Sequence, residues 1–75
     1  MPPFTWGDAA RIKQGARTEW RPGALVSVVG IRTVETEATA HEFDAPVGTT
    51  LFTIEFVDGS STEIPEVWLE ADSDS

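Results

Sequence analysis

Leu51-Phe52-Thr53-Ile54-Glu55-Phe56-Val57-Asp58-Gly59-Ser60-Ser61-Thr62-Glu63-Ile64 decides how this chain folds. Its first seven residues alternate, so an extended strand puts Phe52, Ile54 and Phe56 on one face and Thr53 and Glu55 on the other. Asp58-Gly59 breaks the run and reads as a hairpin tip. Two registers compete for the returning strand. A two-residue loop sets Ile54 opposite Glu63 and drives a carboxylate into the apolar face. A three-residue loop, Val57-Asp58-Gly59 with Gly59 left-handed, sets Phe52 opposite Ile64 and Ile54 opposite Thr62. The second is the expected register, because which face is buried decides how strands align. It leaves Glu55 and Glu63 as diagonal neighbours on the outer face, a repulsion that a cation or a basic partner would relieve.

Working outward, Arg21-Pro22-Gly23 reads as a turn. It opens Ala24-Leu25-Val26-Ser27-Val28-Val29-Gly30-Ile31, rich in β-branched residues and long enough for a buried strand. Gly30 marks a bulge or sharp bend, after which Ile31, Arg32 and Val34 continue on a changed twist. Ahead of the turn, Ala9 to Lys13 makes a short strand with Ile12 inward and Arg11 and Lys13 outward, and Gly15 to Trp20 is a loop. One helix is expected, over about 37–43: Thr36 caps it, Glu37 suits its first turn, Ala38 and Ala40 favour it, and Pro46 and Gly48 end it. About two turns are marginal alone, so Phe43 must anchor them to the rest. Four to five short antiparallel strands with one helical insert describe a mainly β protein, a small barrel. The domain is expected over 6–70, with residues 1–5 and 71–75 as flexible ends.

Arg11-Ile12-Lys13, then Arg21-Pro22-Gly23 leading a valine-rich strand into Gly30-Ile31, resembles the start of an SH3-like barrel. Leu51 to Phe56, with Ile64-Pro65-Glu66-Val67-Trp68-Leu69-Glu70 after it, is similar to the last strands and closing turn of that fold. The order of features, with Phe43-Asp44 in the insert, is most similar to the barrel domain of the nitrile hydratase beta subunit. The resemblance implies a fold, and an accessory-subunit role. It implies no nitrile hydratase activity, since that enzyme's metal ligands belong to its other subunit and this chain has no cysteine. The aromatic peptide-binding signature of signalling SH3 domains is missing too, for there is no tyrosine.

Charge is divided along the chain. All five basic residues, Arg11, Lys13, Arg17, Arg21 and Arg32, precede position 33, where only Asp8 and Glu19 oppose them. From Glu35 onward there are eleven carboxylates and no lysine or arginine, for a net charge of −8 over 75 residues. That balance disfavours general nucleic-acid binding, which needs cations to displace counterions from phosphates. It suits a protein partner with a basic surface. Without cysteine there is neither a disulfide nor a thiolate metal site. No apolar run is long enough for a membrane span, and the first residues lack a basic segment leading into an apolar one, so a cytoplasmic location is expected.

The chemistry-bearing residues match no catalytic pattern. His41 is the single histidine, with no nucleophile or orienting group at a recognisable spacing, and reads as a helix-end residue. Glu35, Glu37, Glu42 and Asp44 crowd the insert without the spacing of a calcium loop, and read as a solvated acidic face, so no metal or cofactor is expected. Ser60-Ser61 lacks the glycine-framed elbow of a nucleophile and reads as turn. The tryptophans Trp6, Trp20 and Trp68 are each either core or interface. The expected protein-binding surface is Trp20 and Trp68 with Glu66, Glu70, Glu55 and Glu63. The alternatives are a nucleic-acid patch of Arg11, Lys13, Arg17, Arg21 and Arg32, which internal pairing with the acidic half would remove, an immunity-type inhibitor masking a basic toxin, and a small enzyme using His41 and the acidic insert.

Overall fold

The computed structural model describes Phe4 and residues 7–72. Five strands make one antiparallel sheet: β1 (Ala9–Ile12), β2 (Leu25–Thr33), β3 (Thr50–Phe56), β4 (Ser61–Pro65) and β5 (Leu69–Ala71), in the order β4-β3-β2-β1-β5. The helix α1 (Glu37–Phe43) lies between β2 and β3, and short 3-10 turns occupy Thr18–Trp20 and Glu66–Trp68. The protein is mainly β with one short helical insert, as the alternation and the single capped helix require.

The sheet cannot be flat. β4 and β5 are its two edges, yet only Glu66–Trp68 separates Pro65 from Leu69. Edges of a flat five-stranded sheet would stand about 19 Å apart. Four residue steps span at most about 14 Å when fully extended, and a 3-10 turn rises only ~2 Å per residue. The sheet therefore curls until its edges approach each other. Strand β2 makes the bend: it pairs with β1 through Leu25–Ser27 and with β3 from Val26 to Thr33, and its register shifts between Val28 and Gly30. Gly30 is needed there because a Cβ would lie 2.9 Å from Thr53 Oγ1. The expected bulge is thus real, but β2 is not buried on both faces: Val26 and Val28 point inward while Leu25 and Ser27 are exposed.

The hairpin has the three-residue register. Phe52 lies opposite Ile64 and Ile54 opposite Thr62. Phe56 N–H donates to Ser60 O, and Gly59 turns back at φ +90°. Phe52, Ile54 and Phe56 are buried together with Val26, Val28 and Ile64. Leu51 is buried as well, although neighbours along a strand face opposite ways, so both faces of β3 are covered where it begins. Thr36 caps α1 by accepting from Thr39 N–H, Asp44 ends it in the left-handed region, and Ala40 and Phe43 join the core cluster that contains Leu51. Val34 and Gly48-Thr49 pinch the excursion shut with backbone hydrogen bonds of 2.8 Å.

The ends depart from expectation. Phe4, placed by the sequence in a loose tail, is buried and packs edge-on against Phe52 at 5.5 Å between ring centres. At the other end β5 runs to Ala71, and Asp72 pairs with Arg11 at 3.5 Å. The remaining residues of the expected tails lie outside those described, as does Trp6.

Candidate functional site

The expected surface residues have different fates. Trp20 is only 3% exposed and belongs to the core, so it offers no free aromatic face. The Arg17 guanidinium lies 4.7 Å from its ring centre. Trp68 is half-buried, packed against the core and against Gly15, while its carbonyl accepts from Lys13 N–H. Glu66, in the same 3-10 turn, lines an open groove of about 510 Å³ with Lys13, Thr50, Val67 and Leu69. Glu70 is exposed on β5, opposite Arg11 on β1. Glu55 and Glu63 are diagonal across β3 and β4 as the register demands.

A cation relieves that diagonal, and the chain supplies it. Arg32 grips Glu63 through both carboxylate oxygens, Nε to Oε2 at 2.5 Å and Nη2 to Oε1 at 2.7 Å. This pairing, helped by the charges of Glu42 and Glu35 nearby, makes an already basic guanidinium more so. Glu55 has no cation at ion-pair distance among the described residues.

The same pattern recurs among the other basic residues. Arg21 holds the hairpin tip: its guanidinium stacks 4.2 Å from the Phe56 ring centre and donates to Asp58 Oδ2 at 3.0 Å. Asp58 Oδ1 in turn accepts from Ser60 Oγ at 2.6 Å and Ser60 N at 3.0 Å. These Ser60 donors, and then Arg21, hold the Asp58 carboxyl down at about 2. Ser60 is accordingly a turn residue whose hydroxyl is committed to its neighbour. Arg11 donates to Gly23 O, and Arg17 to Glu42 O at the end of α1, where a cation suits the helix dipole. So four of the five basic side chains that could have formed a nucleic-acid patch donate to groups of their own chain, three of them to carboxylates of the acidic half.

The acidic insert stays open to water. Glu35, Glu37, Glu42 and Asp44 are exposed, as is His41. Glu37, His41 and Asp44 border a shallow groove of about 310 Å³ floored by Ala40, Ala45 and Pro46. Among the described residues no three histidine or carboxylate side chains converge as metal ligands. No described helix is long and apolar enough to cross a membrane.

Two residues outside the expected set complete the surface. Leu25 and Val57, 40% and 91% exposed, stand beside Glu55 along a trough of about 260 Å³ that Ala9 and Ser27 also line. Their signal is present in the alternation: with Val26 and Phe56 inward, Leu25 and Val57 must face out. No protein-family model, curated protein or solved structure matches this chain.

Proposed function

We propose that this chain is a non-enzymatic interaction module or accessory subunit, an SH3-like barrel of the cytoplasm that binds a protein with a basic surface. The barrel reading is supported by the strand order, with β1 between β2 and β5, and by the short 3-10 turn that carries the chain from one sheet edge to the other. One observation carries the choice of partner. Arg11, Arg21 and Arg32 pair with Asp72, Asp58 and Glu63, while Glu55, Glu66, Glu70 and the insert carboxylates have no basic side chain at ion-pair distance among the described residues. Glu55, Glu70 and the insert carboxylates Glu35, Glu37, Glu42 and Asp44 are exposed, in a chain of net charge −8. Complementary charge speeds encounter and sets partner choice.

Co-purification at low salt, then reconstitution from pure components, tests this reading. The expected result is a discrete basic protein whose affinity falls as salt rises. Retention of nucleic acid in place of protein would contradict it, and would restore the arginine patch as the working surface.

A further inference from the structure

Four strands each place one residue in a row across the outer face of the sheet. Ala9 on β1, Ser27 on β2, Glu55 on β3 and Ser61 on β4 are successive cross-strand partners, and all are exposed. Three of these side chains are small, so the Glu55 carboxylate stands alone above a low floor. It makes no hydrogen bond or ion pair among the described residues, in contrast to Glu63 on the diagonal, which Arg32 neutralises.

Two residues closer to the hairpin tip on the same face, Leu25 and Val57 rise as an apolar wall. They flank the Val26–Phe56 pair and line the same trough of about 260 Å³ as Glu55 and Ser27. Hairpin tips ordinarily carry glycine, asparagine or serine. A valine 91% exposed there adds nothing to the core. Here a carboxylate with no partner among the described residues stands beside exposed aliphatic carbon, so charge and apolar surface meet in one trough.

We propose that this trough docks a protein segment in which a lysine or arginine adjoins an apolar side chain. The cation meets Glu55, the apolar group covers Leu25 and Val57, and the Ser27 and Ser61 hydroxyls serve the polar edge of the segment. The inference rests on the interaction-module reading and names its surface. Covering Leu25 and Val57 excludes water from the ion pair and strengthens it, which an exposed pair on the acidic insert would lack. Phosphate-bearing ligands have the wrong sign, and one carboxylate is too few for a divalent cation.

The test titrates the full, isotope-labelled chain with three synthetic peptides of equal length, alternating leucine–arginine, serine–arginine and leucine–glutamate, while amide shifts are followed. The leucine–arginine peptide should move Ser27, Glu55, Val57 and Ser61, and bind more tightly than the other two. Glu55→Gln and Val57→Ser, both at exposed positions, should each weaken it by roughly fivefold or more, the scale of one lost interface contact, with an otherwise unchanged amide spectrum. Equal binding by the serine–arginine peptide would overturn the role of the apolar wall. Shifts confined to Glu35 to Asp44 would remove the trough but leave the basic-partner reading standing. No shift with either arginine peptide would sink both.

Discussion

The β3–β4 hairpin and the loop from Lys13 to Ala24 both reverse the chain, yet they are held in different ways. The hairpin is organised by its own residues: alternation puts Phe52, Ile54 and Phe56 inward, Gly59 takes the left-handed turn, and Asp58 accepts from Ser60 two residues on. The loop is organised by what it reaches. Trp20 inserts into the core, Arg17 bonds the Glu42 carbonyl on α1, and Arg21 crosses to Phe56 and Asp58. Local pattern fixes the first and long-range anchoring fixes the second. Arg21, held at φ 58°, joins the two regions.

Trp20→Ala tests that contrast most severely. A chain of 75 residues has about 4–11 kcal/mol of stability in all. Emptying the Trp20 site should remove ~3–5 kcal/mol, as much as Phe52→Ala in the hairpin. Chemical denaturation of both variants would show it. A loss of only a few tenths for Trp20→Ala would mean that the loop is an ornament and its tryptophan a surface group.

Within the sheet, Gly30→Ala should cost ~1–3 kcal/mol, because its new methyl must displace Thr53. Thr53→Ala in the same chain should recover part of that cost by removing Oγ1. At the tip, where nothing lies near the glycine, Gly59→Ala should cost ~1–2 kcal/mol from backbone strain alone. A second substitution cannot rescue it. Rescue in one case and none in the other separates crowding from conformation.

The hairpin tip also has a pH signature. The Asp58 carboxyl is held below its usual 3.8, at about 2, by the two Ser60 donors and then Arg21. A depressed folded value means the tip gains stability from ionised Asp58 at pH above about 4, and loses it as pH falls through about 2. Carboxyl-carbon shifts should place the titration there, and Ser60→Ala should move it back up toward the ordinary range. A titration at the ordinary value in the unaltered chain would break the described geometry. The smallest effect belongs to the exposed Arg32–Glu63 pair: its coupling in a double-mutant cycle should be slight and vanish in high salt.

The same division explains what the residues alone reveal. Alternation and the Asp-Gly tip are enough for the hairpin register, a glycine in a β-branched run for the bulge, and Thr36 with Pro46 for the helix bounds. Those signals act over a few residues. Trp20 suits core and surface equally in sequence because its burial depends on elements far along the chain. Phe4 and Asp72 read as loose ends since their partners, Phe52 and Arg11, lie more than forty residues away. Leu25 and Val57 are hard to pick out for the opposite reason. Apolar residues in or beside a strand read as core; the alternation that puts Phe56 inward already turns Val57 outward, whereas Leu25 needs the observed facing of Val26.

Four of this protein's five basic side chains are engaged by its own architecture, and the proposal is that what it shows to others is negative. Proton relaxation by small soluble radicals of positive, neutral and negative charge measures that directly, amide by amide. The positive radical should be enriched around Glu55, Glu66 and the insert, and the negative one should find no site of concentration. Accumulation of the negative radical around Arg11, Lys13, Arg17, Arg21 and Arg32 would contradict it.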